Sequence, residues 1–191
     1  MKDLIIFLDS GDTLVDESTE VRDERGIVQY AELFEGARET LLKLYESGYT
    51  IALVADGMRE SFENVYNKYN LNHCFKVRAI SGDVGCEKPC EKMFYHAMNE
   101  LGLTDKDKDR IVMVGNNLKR DILGANRVGI TSILASYSPR YDMRPKNENE
   151  IPDYVIASPI ELVGLIEQLD IQYKNRKILT RPVSENAVFK E

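Results

Sequence analysis

A chain of 191 residues that is 43% apolar can bury one substantial core, so a single main domain is expected. The formal net charge of −7 argues against nucleic-acid binding, because nothing offsets phosphate repulsion; a small anionic substrate would need a local lysine or a metal. The apolar run Leu4 to Leu8 is too short for a membrane span or a signal segment, which points to an unexported, cytoplasmic protein with no membrane partner. Cys74, Cys86 and Cys90 show no metal-type pairing, and the 2 histidines cannot complete a zinc set. Free thiols in a reducing compartment are the expectation.

In chain order, Leu4 to Leu8 reads as a fully buried strand, short, β-rich and ended by polar residues. Glu20 to Tyr30 reads as a small hairpin, with Val21 and Ile27-Val28 flanking the polar turn Asp23 to Gly26. From Phe34 to Ser47 the apolar residues Leu41, Leu42, Leu44 and Tyr45 fall at helical spacing, and Gly48 supplies a stop. A second strand covers Tyr49 to Val54, a helix Arg59 to Tyr69 and a third strand Phe75 to Ile80. Pro89 suits the first position of a helix that reaches about Leu101. Then come strand Ile111 to Val114, helix Leu118 to Val128, strand Ile130 to Leu134, a short strand Tyr154 to Ile156 and a helix Ile160 to Leu169. The acidic connector Lys146 to Glu150 reads as a solvated loop. Residues 171–191 lack clear periodicity and read as a loosely ordered tail, or as a segment for oligomer contacts, beyond a domain of residues 1–170.

Strands alternating with helices imply βαβ units, hence an α/β fold: a Rossmann-like, doubly wound, mostly parallel sheet with helices on both faces. The spacings from Asp12 to the next strand and from Gly57 to Lys88 leave no room for a large cap, so the hairpin alone would project over the site edge. Ligands of such sheets bind outside the carboxyl ends of the strands. Those ends carry Asp9-Ser10-Gly11-Asp12-Thr13, Ala55-Asp56-Gly57, Ser81-Gly82-Asp83 with Lys88 beyond, and Gly115-Asn116-Asn117 with Asp121 one turn on. Alone, each is more readily a cap, a turn or a solvated charge; converging on one sheet edge they form a candidate site.

Four pieces in this order, Phe7 to Leu14, Ala52 to Gly57, Glu87-Lys88-Pro89, and Val114-Gly115-Asn116 with Asp121 to Ala125, resemble the motifs of the haloacid dehalogenase-like superfamily. The resemblance implies a covalent mechanism in which Asp9 is the nucleophile, a carboxylate being competent at neutral pH without deprotonation. It implies that Lys88 offsets the two negative groups that meet there, and that Mg2+ is held by Asp9, the Gly11 carbonyl, Asn116 and Asp121. The substrate implied is a phosphate ester, small or macromolecular, contacted by Lys88 and the backbone N–H groups of Asp56 and Gly57.

The departures from the family pattern are specific. Family phosphatases carry Asp-x-Asp-Gly-Thr, with the second aspartate as general acid; here that place is Gly11 and the acid has moved to Asp12. Whether glycine's freedom at position 11 bends the loop enough to return Asp12 to that role is open. Ala55 lacks the hydroxyl usual in the second motif, and Asn116 replaces the usual metal-binding aspartate. A phosphatase acting through Asp9, with either broad substrate access or a lid from a neighbouring subunit of a homo-oligomer, is the leading expectation. A binding or regulatory protein that kept the fold without efficient catalysis is the alternative; carbon–halogen hydrolysis ranks below both.

Overall fold

The computed structural model describes residues 2–138 and 140–179. Ile5–Leu8 form β1, buried along its whole length, with side chains that alternate between the two faces of a sheet. The hairpin β2 (Val15–Arg22) and β3 (Val28–Leu33) follows, then helix α1 (Ala37–Glu46) and β4 (Thr50–Ala55). Helix α2 (Arg59–Lys68) leads to β5 (Val77–Ile80), a single turn α3 (Ser81–Val84) and α4 (Glu91–Glu100). The remainder comprises β6 (Ile111–Gly115), α5 (Leu123–Val128), β7 (Thr131–Ala135), β8 (Tyr154–Ile156) and α6 (Glu161–Leu179).

The main sheet has the order β5-β4-β1-β6-β7-β8, and every pairing in it is parallel. β1 is central: Ile5 pairs with Thr50 on one side and with Ile111 on the other. The chain winds outward from β1 first through β4 and then back through β6, which makes the β1–β6 boundary the topological switch point. One face of the sheet, through Ile6, Leu8, Ile51 and Leu53, packs on α1, α2 and α6; the other, through Ile5, Phe7, Val54 and Met113, packs on α4 and α5. The doubly wound α/β expectation is met. No helix among the described residues is long and apolar enough to cross a membrane, and the three cysteines are free.

Several elements differ from the sequence reading. The hairpin begins at Val15 rather than Glu20, because Asp12 and Ser10 already turn the chain: Asp12 donates its N–H to the Val15 carbonyl at 2.7 Å, and Val15 donates to that of Ser10 at 3.0 Å. Pro89 stands outside helix α4, which starts at Glu91 with Cys90 at its N-cap. The stretch Leu118–Ile122 winds as a π turn before α5, with Asn117 capping the N–H of Lys119 at 2.9 Å. The acidic connector is not solvated throughout: Glu150 is buried and accepts from the N–H of Lys146 at 2.8 Å and from Asn147 Nδ2 at 2.9 Å.

The largest correction is at the C-terminal side. Helix α6 runs without a break across position 170 to Leu179, so a domain boundary at residue 170 falls inside a helix; the rest of the expected tail, residues 180–191, lies outside the described residues. Tyr173 and Leu169 join the core, and between them Asp170, only 2% exposed, caps the start of β1. Its carboxylate accepts the N–H groups of Asp3 and Leu4 at 2.9 and 3.1 Å and pairs with Lys174 at 2.6 Å. Burial would raise its pKa, but Lys174 and the two N–H donors hold it below the usual carboxylate value. Asp170→Ala should therefore cost about 1–3 kcal/mol at neutral pH, because two backbone donors lose a charged acceptor. Because the folded-state pKa is depressed, that contribution is present above the unfolded value of about 3.9 and disappears as pH falls through the folded one. Urea unfolding of both proteins at neutral and acidic pH checks this, and an equal gap at the two pH values contradicts it.

Candidate active site

Asp9 sits just past β1, its N–H donating to the Val114 carbonyl of β6 at 2.9 Å. It thus stands at the switch point, where no crossover helix covers the strand ends. Lys88 arrives from the segment before α4 and is 4% exposed. Its ammonium donates to Asp9 Oδ1 at 2.6 Å, to Asp121 Oδ1 at 2.7 Å and to the Val54 carbonyl at 2.8 Å, which uses all three of its protons. Burial would lower the lysine pKa, but Asp121, Asp9 and Asp56 together hold it above the ordinary value, so the ammonium is charged. Complete burial pushes the Asp121 carboxyl up, against the pull of Lys88.

The remaining carboxylate oxygens are also directed. Thr13 Oγ1 donates to Asp9 Oδ2 at 3.2 Å, and the Asn117 N–H donates to Asp121 Oδ2 at 3.1 Å. Gly115 makes the second arrangement sterically possible: a Cβ there would lie 2.3 Å from Asp121 Cγ. Asp56 accepts the Lys88 backbone N–H at 2.9 Å on one oxygen and faces Arg120 at 3.3 Å on the other. Burial raises the Asp56 pKa, partly opposed by Lys88.

A cleft of about 160 Å³ opens above these groups. Asp9, Gly11, Asp56, Gly57, Lys88, Asn116 and Asp121 all line it, so seven of the residues singled out from the sequence converge there. The hairpin does project over it, contributing Glu17, Arg22 and Val28, while Met58 and Phe62 add an apolar wall from the α2 side. Asn116 Nδ2 is buried with no hydrogen-bond partner among the described residues, an unmet bond at the strand ends.

Asp12 does not join the cleft. It is the residue with left-handed backbone in this loop, at φ 51°, whereas Gly11 has no such conformation. Glycine's freedom is therefore not used to swing Asp12 inward. Its carboxylate instead accepts the Glu17 N–H at 3.2 Å and meets Arg140 at 3.3 Å. Gly57 lines the cleft, yet its N–H donates to Ser81 Oγ at 2.9 Å and its carbonyl accepts from Gly82 at 3.0 Å, so its backbone anchors α3 instead of awaiting a substrate.

The sequence reading missed Glu17, Arg120 and Arg140. Glu17 lies on β2 beside Val15 in the alternate-residue pattern of a strand, a signal that a hairpin starting at Glu20 leaves out. Burial raises the Glu17 pKa against the pull of Arg140, whose Nη1 lies 2.5 Å from Glu17 Oε2.

A parallel doubly wound sheet with a lysine-held carboxylate at its switch point defines the class of α/β protein to which the site belongs. The chain is a member of the haloacid dehalogenase-like hydrolases, whose family pattern matches residues 11–135, beginning just after Asp9. It is 32% identical over 130 residues to the glyceraldehyde 3-phosphate phosphatase of Methanopyrus kandleri, which covers 68% of this chain and 54% of that one. It is 31% identical over 135 residues to the pyrophosphatase PpaX of Halalkalibacterium halodurans, covering 71% of this chain and 60% of that one. The chain thus spans little more than half the length of these two relatives. The fold matches that of YfnB, a HAD-hydrolase of Bacillus subtilis bound to magnesium, at a TM-score of 0.62 and 22% identity over 71% of this chain and 56% of that one.

The geometry makes Lys88 the keystone of the site. Lys88→Met should destabilise the protein by about 3–5 kcal/mol at neutral pH, because Asp9 and Asp121 are left buried without their cation. The Asp121 carboxyl, already pushed up by burial, then loses the pull of Lys88 and rises further, so the gap to wild type narrows as pH falls. Chemical denaturation across pH checks this; a variant as stable as wild type at neutral pH contradicts it.

Proposed function

We propose that the chain is a magnesium-dependent phosphatase in which Asp9 attacks the phosphorus of a phosphate ester. The observation that carries this reading is the Lys88 ammonium at 2.6 Å from Asp9 Oδ1. It ties one oxygen, orients the carboxylate and offsets the negative charge of an arriving phosphoryl group. Asp9 Oδ2, held only by the longer bond from Thr13, is the oxygen left to attack. As it bonds to phosphorus, the bond to the leaving oxygen breaks, and that oxygen takes the electron pair and a proton. Water then attacks the phosphorus of the acyl phosphate, releasing phosphate and restoring the Asp9 carboxylate.

The donor set suits a hard cation. No group of three His, Cys, Asp or Glu side chains stands ready as a metal cage among the described residues, and Asp121 is engaged by Lys88 and Asn117. What remains is oxygen: Asp9, the Gly11 carbonyl, Asn116 and the edge of Asp121, a sparse set of the kind magnesium accepts while keeping several waters. The unpartnered Asn116 amide supports this, since its two amide atoms interchange on rotation and leave a bond for the ion or for the phosphoryl group. When bound, magnesium would polarise the phosphoryl oxygens and neutralise their charge against Asp9.

Among the described residues a hairpin alone projects over the cleft, so access is wide, which favours bulky or macromolecular esters, or a lid from a second copy of the chain in the cytoplasm. The relatives' activities on glyceraldehyde 3-phosphate and pyrophosphate support a phosphate substrate. A second reading, phosphate binding without efficient turnover, is favoured by the Gly57 N–H being taken by Ser81. Hydrolysis of a phosphate-ester panel separates the two. Wild type should turn over in magnesium and stop with a chelator, and Asp9→Asn should lose on the order of 10⁴-fold or more in kcat while remaining folded. Retained turnover in Asp9→Asn rules out the nucleophile, and phosphate binding without wild-type turnover establishes the second reading.

A further inference from the structure

Glycine at position 11 has an ordinary backbone, so its lack of a side chain answers a need for space. A Cβ built there would lie 1.8 Å from Glu17 Oε1 and 2.7 Å from Glu17 Cδ. The volume that a side chain at residue 11 would fill is occupied by a carboxylate from the hairpin. We propose that Glu17 is the group that protonates the leaving oxygen at this site, supplied by the flap in place of the family's aspartate at position 11. This assignment rests on the phosphatase reading above.

Three further features fix the carboxylate there. Glu17 lines the same cleft as Asp9 and Lys88. Arg140 Nη1 holds its Oε2 at 2.5 Å, which leaves Oε1 as the oxygen turned toward Gly11. The Glu17 N–H donates to Asp12 Oδ1 at 3.2 Å, so the aspartate displaced to position 12 anchors the strand that carries the glutamate. Asp12 itself is the competing acid, but its left-handed backbone turns its carboxylate to Arg140 and the β2 backbone, outside the cleft. Gly11, Asp12 and Glu17 thus form one exchange: the acid leaves the loop, and the space it vacates admits another from the neighbouring strand.

Asp9 Oδ2 forms a bond to phosphorus, the phosphorus–oxygen bond to the leaving group breaks, and Glu17 transfers its proton to that oxygen, giving an alcohol and a Glu17 carboxylate. In the second half, Glu17 takes a proton from water as the water oxygen attacks phosphorus and the bond to Asp9 breaks, giving phosphate and protonated Glu17.

The test varies the leaving group. A poor one, as in an alkyl phosphate, needs the proton, while an acidic phenol departs without it. With magnesium present, Glu17→Gln should lose about 10²–10⁴-fold in kcat on an alkyl phosphate. On an aryl phosphate with an acidic phenol it should still release a burst of phenol stoichiometric with enzyme, near the wild-type rate, before slow turnover. The burst also shows that the variant is folded. Should Glu17→Gln not yield soluble protein, Glu17→Asp gives the same comparison, with a smaller loss in the first release that is confined to the alkyl ester. An equal loss on both esters in the rate at which the first alcohol or phenol is released, no loss on either, or a leaving-group-dependent loss in Asp12→Asn instead, overturns the assignment. Absence of wild-type turnover on any ester defeats the phosphatase reading and this assignment with it; wild-type turnover with an indifferent Glu17 defeats the assignment alone.

Discussion

A charged ammonium with almost no exposure, Lys88, has to find acceptors or the fold cannot hold it. It finds three: Asp9 beyond β1, the Val54 carbonyl of β4, and Asp121 in the turn that follows β6. Those groups converge only because β1 lies between β4 and β6 and all three strands run parallel, so that their carboxyl ends share one edge. Much of the local sequence serves this contact. Gly115 is bare because Asp121 occupies the space of its Cβ, and Asp56 fixes the Lys88 backbone as Lys88 fixes Asp9. Isolated, such a buried ion cluster stabilises little beyond the cost of desolvating it. Its value lies in holding a carboxylate oriented and next to a cation where an anion can reach it.

Around that fixed centre the hairpin carries the variation. Its first strand supplies Glu17 beside Gly11, and Arg140, from the loop beyond β7, braces both Glu17 and Asp12. The strand ends hold the charges in fixed register, while the flap brings a carboxylate, an arginine and an apolar edge over them. The relation between hairpin and loop is physical: a side chain at residue 11 and the Glu17 carboxylate cannot both be present in this arrangement.

Much of this was legible in the chain. Buried strands such as Ile5–Leu8 and Thr50–Ala55 announce themselves as short apolar runs ended by glycine and carboxylates, and from the strand-end rule Asp9, Asp56, Asp121 and Lys88 fall on one edge. Long-range polar partners were not legible. Nothing local shows that Asp170, inside a helix whose exposed face carries Ile171 and Ile178, has its partners at Asp3 and Leu4; without them the helix reads as ending early. Arg120 is likewise an ordinary surface residue until the fold brings Asp56 to it. The exchange at positions 11, 12 and 17 was half visible. The shifted aspartate is plain in the sequence, but where its side chain points depends on one backbone angle, φ 51° at Asp12, that composition does not encode.

The most direct test of the account is to identify the atom that becomes phosphorylated. Wild-type protein mixed with magnesium and a labelled phosphate ester, quenched in acid within a turnover and reduced with borohydride, should yield homoserine at position 9, since reduction cleaves an acyl phosphate there. Homoserine at any other position, or full turnover with no trapped acyl phosphate, would contradict a lysine-held Asp9 as the nucleophile.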